Sequence, residues 1–99
     1  MHYLIEEAET VRSVDNAIQM FHRALQSDST RALTWSGLGE AYWARFERMR
    51  EPFAREEAGR AVKRALALDA SLPQTRNAEA RGLVVQGRYK EAQIGRAHV

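Results

Sequence analysis

The stretch Trp35-Ser36-Gly37-Leu38-Gly39-Glu40-Ala41-Tyr42 decides how this chain is read. Its apolar positions continue into Phe46 and Met49, and the stripe Trp35, Leu38, Gly39, Tyr42, Phe46, Met49 keeps to one face of an α-helix. The helix is expected to start at about Arg31. It cannot run through Pro52, which has no amide hydrogen and whose ring clashes with the preceding turn. Pro52 instead suits the first turn of a new helix, where that hydrogen is not needed. The stripe of that next helix is Ala54, Ala58, Ala61, Val62, Ala65 and Leu66, and its alanines permit close helix approach.

Upstream, Val14, Ala17, Ile18, Phe21, Ala24 and Leu25 form another helical face, with Ser13 placed to cap its N-terminus and Asp28-Ser29-Thr30 as the turn that ends it. Residues 1–11 are expected to form the helix before it. Downstream, Ser71-Leu72-Pro73 is a third stop and start. A helix is expected from Pro73 to about Gln86, with Ala80, Leu83 and Val84 on its apolar face; Gly87 is its expected C-cap, and Tyr89 to Gln93 begins another. The expectation is an all-α chain of six helical segments in alternating directions.

Composition agrees. Hydrophobic residues make up 44% and charged residues 28%, ordinary for a globular domain, and only 2 prolines and 6 glycines interrupt the chain. With no cysteine, disulfides and thiolate chemistry are excluded. Apolar runs reach only four residues, as in Ala65-Leu66-Ala67-Leu68, so neither a membrane span nor a signal peptide fits. The net charge of +2 is small, and the basic stretch from Arg45 to Arg64 is interleaved with Glu47, Glu51, Glu56 and Glu57. A nucleic-acid binder would show a one-sided basic stripe.

The helices repeat. Ala17, Phe21 and Ala24 recur as Ala58, Val62 and Ala65, followed in both places by Leu-x-x-Asp (Leu25 to Asp28, Leu66 to Asp69). Ala58 recurs as Ala92 at a step of 34 residues; the step from Ala17 to Ala58 is seven longer, close to two helical turns, so helical phase is approximately kept. Trp35 to Tyr42 fits W-x2-L-G-x2-Y, and Ala17-x3-Phe21 fits A-x3-F. On these motifs the chain resembles the tetratricopeptide-repeat (TPR) proteins. The resemblance implies a solenoid of antiparallel helix pairs with approximate repeats 1–31, 32–72 and 73–93. Gly39 and the alanines would sit where paired helices come closest. Trp35, Leu38 and Tyr42 would fill the space between repeats, with Trp35 buried. Ser29 and Ala70 depart from the usual proline, and Arg76 and Glu79 stand where the pattern wants a large apolar residue and leucine. The run from Ser13 to Leu25, then Gly37 to Trp43, then a lengthened corner before Arg64-Ala-Leu-Ala-Leu-Asp69, is similar to the TPR regions of bacterial serine/threonine protein kinases.

The resemblance implies a scaffold that holds a protein or peptide partner in its concave groove, with a cytoplasmic location, no membrane insertion and no cofactor. By register, the groove-facing positions are His2, Glu6 and Glu9; Ser36, Glu40, Trp43 and Glu47; and Asn77, Arg81 and Val84. Glu6 and Glu40 stand where TPR clamps use lysine and asparagine to hold a terminal carboxylate, and would repel one. Trp43 is the expected aromatic anchor, unless it packs under the 45–53 corner. Enzymatic chemistry is not expected. His2, His22 and His98 lack metal-ligand spacing, no phosphate-binding or zinc-protease motif occurs, and the adjacent pairs Glu6-Glu7 and Glu56-Glu57 diverge by about 100° on a helix. The alternative is a basic RNA-binding helical repeat resting on Arg45, Arg48, Arg50, Arg55, Arg60 and Arg64. Finally, Ile94-Gly-Arg-Ala-His-Val99 can be encoded by ATC-GGA-AGA-GCA-CAC-GTC, which resembles a common short-read sequencing adapter. Arg96 and Val99 stand where the register wants an aromatic residue and alanine, so native sequence is expected to end near Gln93.

Overall fold

The computed structural model describes the backbone of residues 2–97 and the side chains of residues 9–95. It is all-helical, with α1 (His2–Ser27), α2 (Ala32–Met49), α3 (Pro52–Leu68) and α4 (Pro73–Ala97), and no strand among the described residues. Two of the six expected segments are therefore absent as separate helices. The chain does not break at Ser13, because Val11, Val14, Ile18, Phe21 and Leu25 carry one apolar stripe straight through it, and an exposed serine inside a helix costs only a fraction of a kcal/mol. Nor does it break at Gly87, which keeps a helical backbone with no positive φ. Glycine costs about 1 kcal/mol there relative to alanine. The packing of Tyr89 on Phe46, with ring centroids 5.2 Å apart, outweighs that cost.

The three breaks that do occur have local causes. Asp28 and Asp69 each accept two hydrogen bonds two residues on: Thr30 N and Oγ1 donate to Asp28 Oδ1, and Ser71 N and Oγ donate to Asp69 Oδ1. The two turns are thus closed in the same way by an Asp-x-Ser/Thr sequence, which competes with helix continuation. Between α2 and α3 the break is sharper. Arg50 adopts the left-handed conformation (φ 58°, ψ 26°) and donates its amide to Phe46 O, and Pro52 opens α3. Helices α2 and α3 meet at Arg50 to Pro52, and at 18 and 17 residues they are shorter than α1 and α4, with 26 and 25. Of the apolar residues there, Phe46 is buried while Met49 and Phe53 are exposed.

Helix α2 is central, and three glycines mark its crossings. Gly37 takes the tip of the Phe21 ring from α1; Gly39 lies against Val62 and the Ala58 carbonyl of α3; Gly82 of α4 receives the Trp43 indole. Each site would bring an added Cβ within 2.4–2.7 Å of its neighbour, so the helices approach closely because the side chain is missing. The expected closeness of Gly39 to the alanine row of α3 is observed, with Ala54, Ala58, Ala61 and Ala65 buried. On α4 the buried face is Thr75, Ala78, Gly82 and Val85, not Ala80, Leu83 and Val84. Leu83 and Val84 are 69% and 51% exposed. Thr75 belongs to the buried face because its hydroxyl lies 2.9 Å from Ser36 Oγ, which itself reaches Ala32 O.

Trp35 is half-buried rather than buried. Its indole nitrogen donates to Ser29 O at 2.9 Å, which ties the ring to the preceding turn and leaves one edge in solvent.

Candidate binding surface

Two sides of α2 remain open, and they differ in chemistry. The first lies between α1 and α4. Ser36 and Trp43 were expected to face it but are buried in the α2–α4 seam, 1% and 4% exposed. Trp43 packs against Gly82 of α4 on one side and against Phe46, at the start of the 45–53 corner, on the other. What remains open on α2 is Leu33, Glu40, Ala44 and Glu47, which share one helical face. Leu33, 54% exposed, was missed by register alone. An exposed leucine followed seven residues later by a carboxylate was the available signal.

Across from them, Asn77, Arg81, Val84 and Arg88 line one edge of exposed α4 at helical spacing. Arg88 Nη1 donates to Glu47 Oε2 at 3.0 Å, and Arg81 Nη2 lies 3.7 Å from Glu47 Oε1. The expected positions Glu47 and Arg81 are thus brought together, with Arg88 as an unexpected third member. Glu40 has no ion-pair partner among the described residues and lies two helical turns from Leu33 on the same face of α2. Glu9 is exposed. Because α1 is a single helix whose Val11 already reaches the last turn of α2, positions 2–8 belong to the part of α1 N-terminal to that contact and do not fold back as a separate groove helix. The side chains of His2 and Glu6 lie outside the described residues.

The second open side is a furrow between α1 and α3, floored by α2. Its walls stand apart: among the described residues α1 approaches neither α3 nor α4 at the backbone. At one end Arg45 joins three elements. Its Nε and Nη2 donate to Glu51 at 3.2 and 3.0 Å, and its Nη1 donates to Asp15 of α1. In the middle, His22 Nε2 lies 2.9 Å from the Tyr42 hydroxyl. Burial first, and the charge of Glu57 second, push the Tyr42 pKa up, so this hydroxyl keeps its proton. The arginines from Arg45 to Arg64 do not form one stripe. Arg45 is paired as described, Arg50 sits over the Tyr89 ring, Arg55 over Phe46, and Arg60 pairs with Glu57.

No group of three or more histidines, cysteines or carboxylates at metal-binding distance occurs among the described residues, and no helix among them is long and apolar enough to cross a membrane. Comparisons with protein-family models, curated proteins and solved structures give no match to this chain.

Proposed function

We propose that this chain is a protein-interaction module of the TPR type, and that it holds a peptide or helix of a partner protein between α1 and α4. One observation carries the reading. Helix α4 runs parallel to α2 at a constant offset of 39 residues, Ser36 meeting Thr75 and Trp43 meeting Gly82, while α3 runs back between them in sequence. Helices α1 and α4 each meet α2, and among the described residues they do not meet each other. This side-by-side placing of a helix and its successor but one supports a solenoid reading over a bundle closed around one core. The repeated Asp-x-Ser/Thr turns support the same reading. The resemblance to kinase TPR regions makes the module a regulatory segment of a larger bacterial protein.

Glu40 gives the ligand its chemistry. A carboxylate two helical turns from an exposed leucine favours a peptide whose lysine or arginine stands roughly 10 Å from an apolar residue, about three residues along an extended chain. The test is a selection from a random peptide display library on the immobilised chain, followed by affinity measurement on synthetic peptides. Selected peptides should carry a basic residue, and Glu40→Arg should weaken them by roughly tenfold, about 1.4 kcal/mol. Recovery of no saturable binder, or of binders indifferent to Glu40→Arg, overturns the reading.

A further inference from the structure

The furrow between α1 and α3 lies on the side of α2 away from Glu40 and plays no part in the function proposed above. It has the dimensions of a site. Two clefts, of about 330 and 320 Å³, follow each other along it. The first is floored by Ile18 and Tyr42, the second by Leu25, Trp35, Leu38 and Ala61. Their floors on α2, Leu38 and Tyr42, are four residues apart, a rise of roughly 6 Å along that helix. That matches the separation of side chains at i and i+4 on a second helix laid in the furrow. Two aromatic surfaces stand ready: Trp35 is half-buried, and Phe53 is 58% exposed with its ring edge-on to Tyr42 at 6.1 Å. Exposed aromatics in a groove are what dominate helix and peptide capture.

Charge distinguishes the two ends. At the first cleft the single guanidinium of Arg45 is shared between the carboxylates of Asp15 and Glu51, so that end is net negative. At the second, Arg60 only partly answers Glu57, at 3.4 Å with its own side chain 77% exposed. Arg64 lines the same cleft with no ion-pair partner among the described residues, and the exposed His22 faces them from α1. The free charge at this end is therefore positive. A nucleic-acid backbone is disfavoured, because a strand running along the furrow would meet Asp15, Glu51 and Glu57 in turn.

We infer that this furrow is a second docking site, for an acidic amphipathic helix of a partner protein, with two apolar side chains at i and i+4 entering the clefts and a carboxylate beside the second of them meeting Arg64 and Arg60. The occupant is one helix, apolar on the face that meets Tyr42, Leu38 and Trp35 and acidic at the end that meets α3.

The two tryptophans make the test specific, since Trp35 lines the furrow and Trp43 is buried on the opposite seam. The probe is a fluorescein-labelled helical peptide of about 14 residues with leucines at i and i+4, glutamates flanking only the leucine at i+4, and glutamines at the other polar positions. The control is the same peptide with lysines for glutamates. Binding is followed by anisotropy, and the two indole N–H resonances are followed in the nitrogen-15-labelled full chain. The expected result is saturable binding of the glutamate peptide alone, with the Trp35 resonance shifted and that of Trp43 unchanged. Arg64→Glu should weaken binding by roughly tenfold. Lys63→Glu makes the same charge change on the neighbouring face of α3 and should leave affinity unaltered; circular dichroism confirms that both variants fold. Equal binding of the lysine peptide, an equal loss in Lys63→Glu, or a shift confined to Trp43 overturns the inference. So does Arg64-dependent binding of an oligouridine, which would make the furrow a nucleic-acid site. Glu40→Arg should not affect this probe, so failure here and failure of the α1–α4 groove are separate results.

Discussion

Trp43→Ala against Trp35→Ala is the comparison that tests the packing most directly. The sequence motif makes Trp35 the buried tryptophan of the helix packing; in the structure Trp43 is the buried one and Trp35 is half-buried. The Trp43 indole is 4% exposed, lies over Gly82 of α4 and meets Phe46 edge-on at 6.1 Å. Its neighbour on α4 is Gly82, which has no side chain to fill the void left by its removal, so truncation should cost about 3–5 kcal/mol. Trp35 keeps an edge in solvent. Its removal loses part of an apolar contact and one hydrogen bond to Ser29 O, together about 2–3 kcal/mol. A chain of this length has about 5–15 kcal/mol in all, so Trp43→Ala consumes a large share of it. Urea unfolding followed by circular dichroism gives both values. Hydrogen exchange adds the location: Trp43→Ala should speed exchange in α4 first, because α4 is held to α2 by that seam. Equal costs for the two variants, or a Trp43→Ala midpoint within error of the parent, would refute the assignment of the α2–α4 seam.

The glycines should respond according to what each one meets. Gly82→Ala should destabilise by about 1–3 kcal/mol, since its Cβ would stand 2.7 Å from the Trp43 ring, whereas Gly87→Ala, with nothing within 4 Å, should stabilise α4 by up to about 1 kcal/mol. Thermal melts of the two variants check both signs. Acid should act on the two matching turns. The Thr30 hydroxyl and amide hold the Asp28 pKa below the ordinary value, and the Ser71 hydroxyl and amide do the same for Asp69. A depressed pKa gives stability that is present above the unfolded value and lost as pH falls through the folded one. Both carboxyls should therefore titrate below the ordinary aspartate value of about 3.9 in carbon-detected NMR, with the melting temperature falling in that range. Titration of either at the ordinary value would contradict the turn geometry.

How much of this was legible depends on what each signal measures. Stripe and proline spacing located α2 and α3 well, because Pro52 forbids continuation whatever surrounds it. Ser13 and Gly87 only permit a break, and permission is decided by packing. At Ser13 the unbroken stripe from Val11 to Leu25 decided it; at Gly87 it was Tyr89 reaching Phe46. The groove register failed at Ser36 and Trp43 for a related reason. Helical spacing tells which residues share a face, but not whether a neighbouring helix covers that face. On α2 the row Ser36, Trp43 and the row Glu40, Glu47 lie within a fraction of a turn of each other, and α4 covers only the first. The partner's own sequence held the missing information. Gly82 and Thr75 lie seven residues apart on α4, as Trp43 and Ser36 do on α2, so one glycine admits the indole and one hydroxyl meets the other. Small and polar residues repeating at one spacing on two helices specify a covered seam, and Leu33 and Glu40, outside that matching, stay uncovered by α4.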